Sequence, residues 1–402
     1  MVNKKKWVLI LLLLLVICVF GTFGLTPGAR LSTYFLLFLS TVGHFLFFRY
    51  RKVISKKIKY WYWIGLFLMF ISIVTTHIYY GQSLVSGFVA NVDFYNIGSI
   101  ILFVYLFQKY NITFPDLFGI LTKSGWVVLV IIAFMAITDF AFINESELTG
   151  KIVVVSAGKV SKGFINFIAI YWFSLFLFKS NYKYLFYSLL FFSANHFLEI
   201  QRFSFLITLF VMGVGLFKYR NLKSRFKLIV PALFSIIFLG IFLFNSDDGT
   251  AVLDRFYEAS KIVTGNADII SDSSTSIRIF QTEFALERFK INPFFGNGLA
   301  RASEVAKVIG EDVYFYVSDI GLFGVLYAFG LFGIYVFLKQ IKVLWQHLFV
   351  KRSNQFYTCV VLALLLLMVS TLLTGSSILG YTTFFLYVCM LQLSSSLIQR
   401  IN

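Results

Sequence analysis

Two arginines are the side chains of this sequence best suited to bind an anionic group. Arg202 begins an apolar run after a short polar turn, and Arg278 lies in a polar stretch between apolar runs. A guanidinium stays charged and offers a planar fork to phosphate oxygens, so an arginine held in a cavity suits a diphosphate. Snorkelling to lipid head groups explains Arg202 equally well. On a helix, Arg278 would lie about 140° from Glu283, which therefore does not neutralise it.

The motifs of soluble enzymes are absent from the sequence. It contains no glycine-rich phosphate loop followed by Lys-Ser or Lys-Thr, no dinucleotide-binding glycine triplet, and no histidine or cysteine pair with metal-ligand spacing. The sequence therefore predicts no cofactor and no metal.

The elements that position these arginines belong to a strongly apolar chain. Of its 402 residues, 59% are apolar and 20% aromatic, while only 13% are charged, about half the share of a soluble domain. About twelve spans of roughly 20 residues would occupy about 60% of the chain, which matches the apolar fraction. The composition therefore predicts a polytopic membrane protein. All three cysteines lie inside apolar runs, which excludes a disulfide-stapled secreted domain.

Twelve apolar runs are candidates for membrane-spanning helices. They are Trp7–Phe20, Leu31–Phe48, Tyr60–Tyr80, Val92–Phe107, Trp126–Phe142, Phe164–Phe178, Tyr184–Phe197, Phe203–Phe217, Leu228–Phe244, Ile320–Leu338, Phe356–Leu373 and Ile378–Leu393. The predicted fold class is thus an all-α integral membrane protein.

The charge distribution orients these spans. With both termini inside, the inner segments hold 23 of the 35 basic residues and, of the 18 acidic ones, only Asp116. The inner side then carries +22 and the outer side −5, as the positive-inside rule requires. The net charge of +17 is explained by orientation and by anionic lipid, and no nucleic-acid partner is expected.

One connection is far longer than the others. Residues 245–318, about 74 in number, form an outer loop between the ninth and tenth spans; the chain divides into residues 1–244, this loop and residues 319–402. A connection of this length is usually functional. Within it, apolar spacing predicts an amphipathic helix over 251–263, and a polar run with N-cap residues precedes a second helix over 277–290. Residues 296–298, Gly-Asn-Gly, predict a turn.

The order of short motifs from residue 199 to 333 resembles that of the O-antigen polymerase and O-antigen ligase superfamily, and the predicted topology resembles that family over the whole chain. The pieces are Gln201-Arg202-Phe203-Ser204, Ser276-Ile277-Arg278, Ala285-Leu286, Asn292-Pro293-Phe294-Phe295-Gly296-Asn297-Gly298, Asp312-Val313-Tyr314 and Asp319-Ile320-Gly321-Leu322-Phe323-Gly324.

The resemblance implies a GT-C-like membrane glycosyltransferase that needs neither a nucleotide sugar nor a metal. Its donor would be a glycan on undecaprenyl diphosphate, joined to a second lipid-linked glycan at the outer face of a bacterial cytoplasmic membrane. Such a polymerase would build O-antigen, capsule or exopolysaccharide, with a flippase and a chain-length regulator as partners. The alternatives are a ligase that transfers finished glycan to another acceptor, and, from a different class, a flippase or other transporter of lipid-linked oligosaccharide.

The resemblance also implies roles for individual residues. Arg202 and Arg278 would hold the diphosphate and stabilise the charge that grows on the leaving group. Ligases of this superfamily commonly carry a histidine where this chain has Asp312, so a carboxylate is the candidate general base. Its neighbour Glu311 and the two turn glycines complete the expected substrate-binding set. Those glycines are Gly296 and Gly298.

Overall fold

In a computed structural model of the chain, most of the described residues are helical. The structure describes residues 6–11, 28–52, 54–138, 142–145, 152–155, 162–196, 212–213, 273–301, 304–305, 308, 315, 317–350, 361–362, 364–365 and 368. Its helices and strands are α1 (Gly28–Tyr50), α2 (Lys56–Tyr80), α3 (Leu84–Ala90), α4 (Val92–Tyr95), α5 (Ile97–Lys109), α6 (Phe114–Thr138), β1 (Phe142–Glu145), β2 (Ile152–Val155), α7 (Lys162–Lys179), α8 (Tyr182–His196), α9 (Ser273–Ile291), a short 3-10 helix (Val317–Ile320) and α10 (Gly321–Val350).

Three of these helices are long and apolar enough to cross a membrane. The apolar stretches are Lys56–Tyr80, Asp116–Met135 and Gly321–Gln346. The pair Leu84–Ala90 and Val92–Lys109, bent by 69°, makes a fourth if it counts as one span. By length and composition, these helices are consistent with a membrane protein, and each overlaps a run predicted from the sequence.

Helix α2 has clear end signals and is the element on which the candidate site rests. Ser55 precedes it, and its Oγ accepts a hydrogen bond from the N–H of Ile58. Gly81 ends the helix with φ +64° and donates its N–H to the carbonyl of His77 at 3.1 Å. Left-handed backbone at a helix end favours glycine, so the local sequence fixes both ends of α2.

The fourth predicted span begins with a break. Asn91 separates α3 from α4, and its side-chain Nδ2 donates to the carbonyl of Gly87 at 2.9 Å. Beyond the break, α5 packs closely on α1, because a Cβ on either Gly43 or Gly98 would overlap the backbone of the other helix. Ser40 on α1 also donates from Oγ to Oδ1 of Asn96, at 3.2 Å.

The predicted bounds of the fifth span are wrong. The apolar pattern predicts this span over Trp126–Phe142, but α6 runs over Phe114–Thr138, and Lys123, assigned to an inner loop, lies inside it. The helix begins early because Asp116 Oδ2 accepts hydrogen bonds from the N–H and the hydroxyl of Thr113, at 2.8 and 2.7 Å. Phe142 instead starts an antiparallel two-stranded hairpin, which the all-α prediction does not include.

The helices share one apolar core, rich in aromatic side chains. Phe103, Phe167, Phe191 and Phe337 are fully buried in it. Helices α7 and α8 form a hairpin in which the Ser188 hydroxyl donates to the Ala169 carbonyl at 2.8 Å. This hydroxyl is therefore bonded within the bundle, as a lipid surrounding requires.

Candidate functional site

Helix α9 carries the predicted Arg278. The sequence predicts a helix over 277–290, and the structure confirms it as Ser273–Ile291. Arg278 is exposed, between the exposed apolar side chains of Ile277 and Phe280. No carboxylate among the described residues forms an ion pair with Arg278. Arg278 therefore presents a cation beside apolar surface.

The chain then turns sharply through residues 292–298, which we call the docking segment. Gly296 donates its N–H to the carbonyl of Asn292 at 3.0 Å, and Asn292 Nδ2 returns a hydrogen bond to the carbonyl of Gly296. Gly296 and Gly298 have φ of +69° and +80°, values that L side chains rarely adopt. The predicted turn is therefore confirmed, together with its requirement for glycine.

Helix α10 is broken opposite the docking segment. At Gly330 the backbone has φ +59° and ψ −152°, which is not helical. In a continuous helix the N–H of Leu331 would bond the carbonyl of Tyr327, and the N–H of Phe332 would bond that of Ala328. The break therefore frees two donors and two acceptors about 14 Å along α10, counting 1.5 Å for each residue from Gly321.

The docking segment bonds all four of these freed groups. Two of its carbonyls accept from α10, and two of its amides donate to α10. The pairs are Leu331 N to Pro293 O at 2.8 Å, Phe332 N to Phe294 O at 3.0 Å, Asn297 N to Tyr327 O at 2.7 Å and Gly298 N to Ala328 O at 2.9 Å. Unbonded polar backbone is costly in an apolar surrounding, so the break and the docked segment stabilise each other.

The Asn297 side chain ties three elements together. It is fully buried. Its Nδ2 donates to the carbonyl of Arg288, near the end of α9, at 3.1 Å, and lies 3.4 Å from the carbonyl of Tyr327 on α10. The last turn of a helix has unbonded carbonyls, and Asn297 satisfies one of them. The C-terminal end of α9 is thereby fixed to α10.

The residues that follow the turn bind to α2 and to Gln82, which lies just after the C-terminal end of that helix. The N–H of Leu299 donates to Ser72 Oγ at 2.7 Å, and the N–H of Arg301 donates to Gln82 Oε1 at 2.8 Å. Ser72 is fully buried, and Gln82 nearly so. The chain after α9 is therefore held between the C-terminal half of α2 and the middle of α10.

A polar and aromatic cluster lies under α9. The hydroxyl groups of Tyr80 on α2 and Tyr327 on α10 are hydrogen-bonded to each other. The guanidinium of Arg288 lies 5.9 Å from the ring centroid of Tyr80 and 5.4 Å from that of Phe284. Arg288 thus places a second cation of α9 next to helix α2, and no described carboxylate pairs with it.

The structure describes three of the six predicted site residues, and about 20 Å of α9, from Arg278 to Ile291, separates the arginine from the other two. Arg278 lies on α9, and Gly296 and Gly298 follow it in the docking segment. Both glycines are buried against backbone of α2 or α10, so close packing alone explains why glycine is needed at each position. Their role in substrate binding stays a prediction. The remaining three lie outside the described residues. They are Arg202, Glu311 and Asp312.

Sequence reasoning misses the residues that hold the segment in place. The sequence pattern favours a helix-packing role for Gly330 and indicates only a turn at Asn297. The sequence offers one indication of this contact. Two glycine-rich segments, residues 296–298 and 321–333, lie close together in the chain, one in the predicted outer loop and one in the span that follows it. Arg288 and Tyr80 give no signal, because the first looks like a solvated charge on a polar helix and the second like an interfacial aromatic residue.

Comparisons of the sequence with family models and with curated proteins give no relative. No protein-family model matches the chain, and no curated protein matches it either. Among the described residues, no group of three or more histidine, cysteine, aspartate or glutamate side chains could hold a metal ion. Function is therefore argued from the motif order and from the geometry around α9.

Proposed function

We propose that this protein is a polysaccharide polymerase of the bacterial cytoplasmic membrane. It joins repeat units carried on undecaprenyl diphosphate, at the outer face, through a GT-C-like fold of about twelve spans. In the sequence, the order of motifs between residues 199 and 333 supports this proposal. In the structure, it is supported by the way the segment after α9 folds back onto α2 and α10.

The docking of residues 292–298 is the observation that carries this proposal. A glycosyl transfer at a membrane needs the outer loop to return to the bundle, so that its charged groups meet a lipid-linked substrate. Helix α9 is anchored in this way, with Arg278 set among the exposed Ile277 and Phe280. A diphosphate that carries a polyprenyl chain requires a cation next to apolar surface, and this face of α9 offers both.

The positions of the basic side chains support the proposed orientation. Lys339, in the C-terminal half of α10, donates hydrogen bonds to the hydroxyl of Tyr60 at the start of α2 and to that of Tyr335. Gly298 of the docking segment lies against the carbonyl of Ser72 in the other half of α2, and Leu299 beyond it donates its N–H to Ser72 Oγ. On both helices the lysines are thus displaced from the contacts of the loop toward one side of the bundle, as an inner and an outer side would require.

The proposed chemistry is a direct transfer. The hydroxyl oxygen of the acceptor sugar attacks the anomeric carbon of the donor, the bond from that carbon to the diphosphate oxygen breaks, and the hydroxyl proton passes to a general base. Arg202 and Arg278 stabilise the diphosphate leaving group. Asp312, with Glu311 beside it, is the proposed base.

A transporter of lipid-linked oligosaccharide is the second candidate, because two helices of the bundle are broken. Discontinuous helices are typical of transporter sites, where freed backbone groups bind the substrate or a coupling ion. At Gly330, however, all four freed groups are bonded to the docking segment. The side-chain Oδ1 of Asn91 is buried without a hydrogen-bond partner, and so is Oδ1 of Asn297 in the docking segment. The bonded backbone groups at Gly330 thus favour a fixed loop over an ion site there.

The lipid-linked glycans that accumulate in a deletion strain distinguish the candidates. Single repeat units on the outer leaflet support a polymerase. Full-length chains on the lipid favour a ligase and contradict the proposal. Single units retained on the inner leaflet favour a flippase and contradict it as well. Return of normal polymer on re-expression of the wild-type chain is the control.

A further inference from the structure

The segment that joins α1 to α2 is strongly basic. Residues 49–59 contain six lysines and arginines and no acidic residue. Clusters of this size next to a membrane helix bind anionic lipid. The segment lies at the start of α2, whereas the docking segment contacts Ser72, about 24 Å further along that helix. A ligand bound at this basic segment would therefore be separate from the proposed transfer site.

A cavity of about 340 Å³ opens between α1, α5 and this basic segment. Its apolar wall comes from three aliphatic side chains, and its volume lies in the range of small-ligand sites. These side chains are Leu46 of α1, Ile54 of the connection and Ile101 of α5. Lys109, at the end of α5, also lines the cavity. An apolar cavity with a cation in its lining suits an amphipathic anion.

Two cations flank a pair of stacked tyrosines at this cavity. The rings of Tyr50 and Tyr105 lie 4.9 Å apart at 26°. Lys109 Nζ lies 5.5 Å from the centroid of Tyr105, and Arg49 Cζ lies 5.7 Å from that of Tyr50. Both cations are exposed. Neither forms an ion pair with any carboxylate that the structure describes; Lys109 is hydrogen-bonded to the Tyr105 hydroxyl, and both exposed side chains are accessible to an anionic ligand.

We propose that this cavity binds an anionic phospholipid of the leaflet on the basic side of the bundle. One acyl chain occupies the space between Leu46, Ile54 and Ile101, and the head-group phosphate binds Arg49 and Lys109. Charge complementarity and the apolar lining select this occupant together. A free phosphate would leave the apolar wall uncovered, and the quaternary ammonium of a zwitterionic lipid would be repelled by the two cations.

The test measures retained lipid on the full-length protein by native mass spectrometry, after incubation with equal amounts of dioleoyl-phosphatidylglycerol and dioleoyl-phosphatidylcholine. The double variant Arg49→Gln/Lys109→Gln removes the charges at exposed positions. Leu46→Trp fills the cavity instead. The matched control is Lys179→Gln/Lys183→Gln. That pair repeats the cation–ring contact, at 5.7 and 5.5 Å from tyrosine centroids, on α7 and α8.

The wild type is expected to retain phosphatidylglycerol selectively. Two cations near a lipid surface correspond to about a 30-fold preference, so the Arg49/Lys109 variant should lose about that factor. Leu46→Trp should lower retention of phosphatidylglycerol, and the control should match the wild type. The proposal is overturned if the charge variant keeps its preference within about threefold, if the control loses as much, or if Leu46→Trp retains phosphatidylglycerol unchanged.

Discussion

Replacement of Gly298 by alanine tests how tightly the docking segment is held. Gly298 has φ +80° and is buried between α2 and α10. A Cβ at this position would lie 2.6 Å from both Thr75 Oγ1 and Thr76 Cγ2 and would overlap the carbonyl oxygen of Ser72. Backbone atoms of a helix cannot yield as a flexible side chain does, so the segment itself must move.

The expected cost has two parts. A left-handed conformation costs an alanine about 1–2 kcal/mol. Movement of the segment also breaks the hydrogen bonds from Gly298 N to Ala328 O and from Leu299 N to Ser72 Oγ. Each such bond contributes about 1 kcal/mol, and more where a buried group is left unpaired. The Gly298→Ala variant should therefore lose about 3–5 kcal/mol of unfolding free energy.

Alanine substitutions at two other glycines measure the conformational cost separately from the cost of the close contact. Gly81 has φ +64°, and an added Cβ there would have no atom within 4 Å, so Gly81→Ala should lose only the conformational part, about 1–2 kcal/mol. Gly119 lies inside α6, where an added Cβ would also meet open space. Because alanine is the better helix former, Gly119→Ala should gain about 0.5–1 kcal/mol.

The measurement is unfolding of the purified protein by sodium dodecyl sulfate from mixed micelles, followed by circular dichroism. The order of stability should be Gly119→Ala, wild type, Gly81→Ala and then Gly298→Ala. If Gly298→Ala and Gly81→Ala lose equal stability, the close contact between the docking segment and α2 contributes nothing, and the reasoning fails.

Three further predictions concern the loop and its charge. Gly330→Ala should favour a continuous α10 and release the docking segment, since its Cβ would lie 2.5 Å from the carbonyl oxygen of Pro293; faster proteolysis after α9 checks this, and unchanged proteolysis contradicts it. Arg278→Lys keeps the charge but loses the planar fork, so polymer should fall strongly at equal protein level, while Lys290→Gln on the same helix should not change it; normal polymer from Arg278→Lys removes that arginine from the site. An impermeant maleimide should label a cysteine at exposed Glu283, and not one at exposed residue 57, in cells with an opened outer envelope; the reverse pattern overturns the proposed topology.

Local signals explain the parts of the fold that are predictable. Helix α9 follows a serine-rich polar run and ends at Asn292-Pro293, so its limits can be inferred within a few residues. The Gly296–Gly298 turn is predictable for the same reason, because positive φ favours glycine. The end of the fifth span is not predictable, since the apolar pattern continues past Thr138 to Phe142, where the chain forms a strand.

The break in α10 could not be predicted, because its cause is distant in the chain. Residues 321–338 are apolar and contain regularly spaced glycines, which is the pattern of a packed membrane helix. The groups that replace its missing hydrogen bonds come from residues 293–298, about 34 positions earlier. A non-helical Gly330 is favourable only when residues 293–298 bond the freed groups of α10. Neither segment's own sequence shows that the two will meet.

The same mutual dependence limits how the proposed site can move. If the docking segment left α10 while Gly330 stayed non-helical, four backbone groups would lose their partners, at about 1–3 kcal/mol each. If the docking segment leaves, α10 therefore has to become a continuous helix through Gly330, so that its own hydrogen bonds replace those that are lost. Since Asn297 also fixes the last turn of α9 to α10, Arg278 is carried on a helix anchored to the bundle. A lipid-linked substrate of the proposed transfer would then reach Arg278 from the exposed face of α9, without a lid movement of residues 292–298.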